Sequence, residues 1–289
     1  MRKNFDELGM LIAALLFGFA YAFQAMGAQC LNPFSFNVGK YIIAIITTLP
    51  FFLKKTKTNK KDEIRYGIIV GLLLFGFTNL QQVVAVDTSP GKVGFITSLY
   101  IVEVPLINYI FFKKKINLQT VLSLIFSLFG LVLLCDLHDF NFRLSDILII
   151  ISSLLLAAQI VVVGKYCKNC DPFKLNFYSF IVILGLSAIG CIVSGVTASL
   201  ADYRQAIISL IYVGFGCSTI GCVLQAQCQK TLDSTTASLI LSLQSVFSVI
   251  SGYLILDETL SKIELVGCIL MFIGVILCVT DQRVKKKKN

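Results

Sequence analysis

Charge is what this sequence has least of: Asp, Glu, Lys and Arg make up 14% of its 289 residues, against 56% hydrophobic residues. A soluble domain carries about 25% charge and about 45–50% apolar residues. A water-facing surface cannot be assembled from this composition. Histidine is nearly absent, with His138 alone, which excludes a metal site built on a His pair. Acids are as sparse within the apolar runs. Glu103 is the sole one in mid-run, which excludes an intramembrane enzyme built on two embedded aspartates.

The formal charge of +9 raises nucleic acid as a partner, and its placement excludes it. Lys and Arg are confined to short connectors such as Lys54-Lys55-Thr56-Lys57, Lys113-Lys114-Lys115 and the tail Lys285 to Lys288. No basic helical face is interleaved with aromatics, as a nucleic-acid surface would require. Such connectors suit anionic lipid at a cytoplasmic membrane face. The 10 cysteines mostly sit inside apolar runs (Cys191, Cys217, Cys222, Cys268, Cys278), where Cys acts as a small hydrophobe. Cys167 and Cys170 form one CxxC, but a structural zinc normally needs four ligands. They read as two unpaired thiols, and no metal or cofactor is expected. Gly91-Lys92 fails as a phosphate loop because Val86 and Val93 occupy the required Gly and Ser/Thr places.

What is present is apolar length. A membrane-crossing helix needs about 20 mainly apolar residues, and ten segments qualify: 8–27, 35–53, 65–86, 92–112, 118–135, 146–164, 173–194, 206–228, 234–256 and 263–280. The expected class is an all-α polytopic membrane protein. The first run has no convincing cleavage site and reads as a span rather than a signal peptide. Placing the N-terminus inside puts 20 of the 25 Lys and Arg residues on the cytoplasmic side, leaving Lys40, Lys92, Arg143, Arg204 and Lys262 outside. Both termini are therefore expected to be cytoplasmic.

The chain also repeats itself. Residues 88–135 align with 232–279 at an offset of 144: Ile96, Ser98, Leu99, Val102, Tyr109, Gly130 and Leu133 match Ile240, Ser242, Leu243, Val246, Tyr253, Gly274 and Leu277. Earlier in each half, Pro33-Phe34, Asn37 and Arg65 match Pro172-Phe173, Asn176 and Arg204 at an offset of 139. The expected domains are residues 1–140 and 141–289, each of five helices. An odd number forces the second copy to cross in the opposite sense. Inverted repeats place a solute site between the halves near the midplane and permit alternating access.

The run Gly91-Lys92-Val93-Gly94-Phe95-Ile96-Thr97-Ser98-Leu99-Tyr100-Ile101-Val102-Glu103-Val104-Pro105, preceded by Gln81-Gln82, resembles the drug/metabolite transporter superfamily in its EamA-type permease branch. Ser242 to Val246 followed by Leu256-Asp257-Glu258 is similar to the branch's ninth-helix ending. The resemblance covers the whole chain. It implies a central cavity lined mainly by helices 1, 3, 4, 6, 8 and 9, in members that move amino acids, metabolites, drugs or, in relatives, nucleotide sugars. Glu103 departs from the pattern, since its place is commonly apolar, and so points to a specialised solute or a coupling role.

Glu103 lies about 15 Å from Lys113 and about 16 Å from Lys92 along its helix, near the bilayer midplane. A charge there costs about 2.5–3.5 kcal/mol on insertion scales and should face a cavity or a partner. It reads as a substrate-binding or proton-carrying group, or else as a structurally hydrogen-bonded Glu. Lys40, about 21 Å from Lys54, is either its coupling partner or a side chain snorkelling to the outer interface; Lys92 reads as capping the fourth helix. Gln24, Asn79, Gln82, Gln159, Gln225, Gln229 and Gln244 supply amides on five of the six expected cavity helices, and Tyr100 shares the face of Glu103 one turn earlier. Their alternative role is interhelical glue, about 0.6 kcal/mol each. Ser123, Ser127 and Gly130, with Gly267 and Gly274, read as close packing faces.

The expectation is a secondary carrier for a small polar organic solute, amino acids first among candidates, with export favoured by the resemblance and with either proton coupling through Glu103 or uniport. The substrate-binding candidates are Gln24, Asn79, Gln82, Tyr100, Glu103, Gln159, Gln225 and Gln244, with Glu103 and Lys40 for coupling. A channel or facilitator without alternating access would share the polar interior; a receptor or scaffold is a further rival. A bacterial plasma membrane is the expected location, although Lys286-Lys287 would also pass as a eukaryotic retrieval signal. No feature sets an oligomeric state.

Overall fold

The computed structural model describes residues 2–56, 58–114, 117–134, 143–195, 198–256 and 261–288. His138, Asp257-Glu258 and the expected domain boundary at 140/141 lie outside the described residues. All regular structure among those residues is helical: α1 (Arg2–Ala28), α2 (Pro33–Phe52), α3 (Lys60–Val84), α4 (Pro90–Phe112), α5 (Leu118–Leu134), α6 (Leu144–Tyr166), α7 (Pro172–Ser194), α8 (Ile207–Cys228), α9 (Ser234–Leu256) and α10 (Lys262–Lys288), with a short helix Leu200–Gln205 before α8. Nine of these are long and apolar enough to cross a membrane, and Leu118–Leu133 in α5 is a shorter apolar helix.

Helix starts follow from local chemistry. Three of the five prolines, Pro33, Pro90 and Pro172, begin helices, where the missing N–H is one that no helix would use. Each follows a capping side chain. Asn32 accepts from the Ser35 N–H, Ser89 from the Lys92 N–H, and Asp171 from the Phe173 and Lys174 N–H groups, satisfying donors the helix leaves open.

Polarity is reversed relative to a soluble protein. Phe111 is 72% exposed and Ile192 80%, whereas Gln225 is 3% exposed and Asn37 1%. Only an apolar solvent stabilises that arrangement. Close helix contacts rest on small residues. α5 lies against α10 so tightly that a Cβ on Gly130 would come within 2.6 Å of the Gly267 carbonyl oxygen. The packing face expected of these residues is therefore present.

Two helices are interrupted at matching places. α4 is broken after Thr97 and α9 after Leu241, 144 residues apart. At each break the N–H groups reach back three residues, Leu99 to Ile96 and Leu243 to Ile240, a tightened 3₁₀-type turn. Pro105 in α4 is not the cause, because Val249 stands at the matching place in α9.

The connectors after α2, α4, α6 and α8 lie at one end of the bundle. Thr231 bonds Asp6, the Asp171 N–H bonds Glu63, and Lys114 pairs with Asp233 at 2.6 Å, so these elements share the end that carries Asp6. Asp233 also caps α9 through the Thr236 N–H. Burial pushes the Asp233 carboxyl up, but the Lys114 ammonium and the Thr236 hydrogen bonds outweigh burial and hold it below the usual carboxylate range. A carboxyl held low in the folded state contributes stability above its unfolded value, about 3.9, and loses it as the pH falls toward its folded value. Asp233→Asn keeps an acceptor but drops the charge. It is expected to flatten that acid limb and to cost under about 1 kcal/mol at neutral pH, because the Lys114 side chain is 50% exposed. Unfolding midpoints measured against pH check both effects.

Candidate functional site

A cavity of about 540 Å³, its open mouth included, lies inside the bundle. α1 contributes Phe17, Tyr21 and Gln24, one side of a helix at spacings of four and three. α2 supplies Lys40 and Tyr41, and α3 supplies Leu74, Phe77 and Thr78. From the later part of the chain come Leu156 of α6, Cys217, Ser218, Cys222 and Gln225 of α8, and Gln244 of α9. Tyr21 and Gln24 also face a narrow crevice lined by Thr88, Pro90 and Val93 at the end opposite Asp6.

The α8 wall has an unusual backbone. Tyr212–Gly221 is a π-helix, the wide form that recurs at functional sites. Ser218 and Thr219 hydroxyls follow its period, each bonding the carbonyl five residues back, Val213 and Gly214. Gly214 permits this wall to meet α2: a Cβ there would lie 2.7 Å from the Lys40 carbonyl oxygen.

The expected site residues divide into two groups. Gln24, Gln225, Gln244 and Lys40 line the cavity. The others do not. Asn79 receives the Asn37 amide at 3.1 Å and donates to the Phe75 carbonyl at 2.8 Å. Gln82 donates to the Gln24 carbonyl at 3.3 Å. Gln159 stands behind Gln225, accepting from its Nε2 at 3.0 Å, while Gln229 accepts from the same nitrogen and donates to the Ile160 carbonyl. Tyr100 is fully buried in the apolar core shared with Met10, Val104 and Met271.

Glu103 also lies outside the cavity wall. It is half-buried at the α4–α6 contact, where the Ser153 hydroxyl stands 2.8 Å from each carboxylate oxygen. No ion pair joins it to Lys40 among the described residues. Lys40 is 3% exposed and so does not snorkel to an interface. The cavity thus takes its wall from α2 in place of the α4 that the family resemblance implied. Lys92, read as a helix cap, instead pairs with the fully buried Asp146 of α6 at 2.8 Å.

Tyr21, Tyr41, Thr78 and Ser218 were not expected in the wall. Tyr21 could have been found, since it lies three residues before Gln24 on the same face. Ser218 could not, because a π-helix changes which residues share a face and hydropathy does not report it.

A helical bundle with an apolar exterior, buried amides and a cavity in its interior defines an integral membrane protein with the architecture of a transporter. The EamA-like transporter family is matched over residues 5–135 and 143–280, and the chain belongs to that family. A protein of Archaeoglobus fulgidus named as an uncharacterized transporter is 27% identical over 279 residues, covering 96% of this chain and 86% of that protein. Another of the same description from Clostridium kluyveri is 23% identical over 300 residues, covering 96% and 93%. A solved structure described only as a crystal structure of a protein agrees with a TM-score of 0.73 at 15% identity, covering 95% of this chain and 97% of that one. This protein is a membrane transporter.

Proposed function

We propose that the transporter carries a small polar organic solute, with amino acids and related metabolites first among candidates, by alternating access between residues 1–140 and 141–289. The observation that carries this reading is the make-up of the cavity: α1, α2 and α3 from the first stretch and α6, α8 and α9 from the second all contribute to its lining. A site shared between two bodies is the one that rocking of those bodies opens alternately to each side. Two inverted five-helix repeats supply the bodies. The matched residues at offsets of 139 and 144, the helix breaks 144 residues apart and the family match in two stretches support that division. The basic connectors support cytoplasmic termini in a bacterial plasma membrane, with anionic lipid against residues 54–61.

Of the candidate residues, Gln24, Gln225 and Gln244 contact the solute. Asn79, Gln82 and Gln159 hold the wall behind them, and Tyr100 packs the α4 side of the core. Glu103 sits where α4 of the first half meets α6 of the second, and carries the coupling proton there. The family resemblance favours export.

Counterflow in proteoliposomes tests carriage. Vesicles preloaded with unlabelled solute from a pool of amino acids and metabolites are expected to take up the labelled solute faster than empty vesicles. Flux without trans-stimulation would identify a channel and overturn alternating access.

A further inference from the structure

Lys40 is the one charged group among the 15 residues that line the main cavity, and none of the 15 is acidic. Its ammonium stands 4.9 Å from the Tyr41 ring centroid. Among the described residues it makes no ion pair and no hydrogen bond. A cation in mid-bundle costs about 2.5–3.5 kcal/mol on insertion scales, and such charges persist where a partner or a ligand compensates them. The interface is out of reach, since the residue is 3% exposed. Its backbone is held where it is by the close approach of α8 at Gly214. Gln244 adds a second unused donor, its Nε2 buried without a hydrogen-bond partner. The remainder of the wall is largely apolar, with Phe17, Leu74, Phe77 and Leu156.

We infer that the cavity takes an organic anion, whose carboxylate pairs with the Lys40 ammonium and whose apolar body rests on Phe17, Leu74, Phe77 and Leu156. This deepens the transporter reading above and rests on it. Among the candidates above, this favours simple carboxylates over amino acids, because an ammonium on the solute finds no acidic partner in the wall. Simple carboxylates therefore bind better than their amides, and amines are excluded.

Two matched trios test the inference: phenylacetate, phenylacetamide and phenethylamine, and isovalerate, isovaleramide and isopentylamine. Each is added at millimolar concentration to the purified full-length protein, and the thermal unfolding midpoint is followed. The carboxylates are expected to raise the midpoint, while the amides and amines leave it unmoved. Lys40→Gln is expected to weaken carboxylate binding about thirtyfold or more, as loss of one partner of a buried charge pair does. Lys40→Arg, which keeps the charge, retains the preference. Removing an unpaired buried charge leaves the ligand-free midpoint of Lys40→Gln at or above that of the wild type, so a lost response cannot be ascribed to misfolding. Equal responses to all three members of a trio, no response to either carboxylate, or an undiminished response in Lys40→Gln would overturn the inference. Counterflow of labelled phenylacetate and isovalerate separates it from the transporter reading. Lys40-dependent binding without exchange leaves the anion site standing and removes carriage. Exchange unaffected by Lys40→Gln leaves carriage standing and removes the anion site.

Discussion

Lys92→Met is expected to cost about 2–3 kcal/mol of unfolding free energy, more than Asp146→Leu, although both remove the same ion pair. The asymmetry comes from burial. Asp146 is fully buried, with its carboxylate 2.8 Å from the Lys92 ammonium, while the Lys92 side chain is 22% exposed. Breaking a buried pair costs about 3–5 kcal/mol, chiefly because one charge is left stranded. Stranding Asp146 incurs most of that. One hydrogen bond from the Arg143 N–H at 2.8 Å remains to it, which sets the lower figure. Stranding Lys92 costs less, because its ammonium can turn to water. The cost of Asp146→Leu is then mainly the lost cap on α6, about 1 kcal/mol. The double variant strands nothing and loses only the cap. It should lie near Asp146→Leu, with a coupling of about 2 kcal/mol between the positions. Denaturant unfolding of the four proteins in one detergent measures the cycle. Costs that simply add would show that the pair contributes nothing.

That pair illustrates what sequence could and could not reveal. Nine of the ten apolar segments coincide with a helix long and apolar enough to cross a membrane and the fifth with a shorter one; starts such as 35 for Pro33 and 173 for Pro172 are displaced by a residue or two, and 8 for Arg2 and 65 for Lys60 by six and five. Apolar length is a property of composition along the chain, and the bilayer requires it whatever the tertiary packing. The packing faces of α5 and α10 were legible for a related reason: small residues repeat at helical spacing and have little other use in a membrane.

Rotation about the helix axis was much less legible. A helix that is apolar nearly all round has no strong stripe to say which face turns inward. Depth and the departure from the family pattern put Glu103 against a cavity or a partner without choosing between them, and in the structure it faces Ser153. Tyr100 shares its face and shares its fate, buried in core. For Lys40 two readings were open, a coupling partner or a side chain snorkelling outward. Its nearness to the outer end suggested the second, whereas the residue is 3% exposed and lines the cavity. Depth along a helix follows from counting residues; azimuth depends on neighbours far along the chain, such as Ser179 beneath the Gly67 carbonyl, 112 positions away, or Thr219 beside Thr47, 172 away. The π-helix compounds this, since each added residue per turn rotates everything after it.

The position of Glu103 outside the cavity makes a separable outcome for coupling. Under an imposed pH gradient, wild-type proteoliposomes are expected to accumulate solute above equilibrium, and Glu103→Gln is expected to abolish that accumulation completely while leaving counterflow intact. Solute exchange needs the cavity and the rocking of the halves, and neither uses the Glu103 carboxylate, which touches only Ser153 among the described polar side chains. Net movement against a gradient needs the proton, and Glu103 is the acid that lies mid-helix between the two halves. Gln is close in size and its amide oxygen still accepts from Ser153, so the α4–α6 contact is preserved and the half-saturation for exchange should stay within about twofold, under half a kcal/mol. Equal loss of exchange and accumulation would mean that Glu103 shapes the cavity or the fold. Accumulation unchanged in the variant would place the coupling elsewhere. A wild type that exchanges solute but accumulates none under a pH gradient of either sign would be a uniporter, with Glu103 reduced to a hydrogen-bonded tie between α4 and α6.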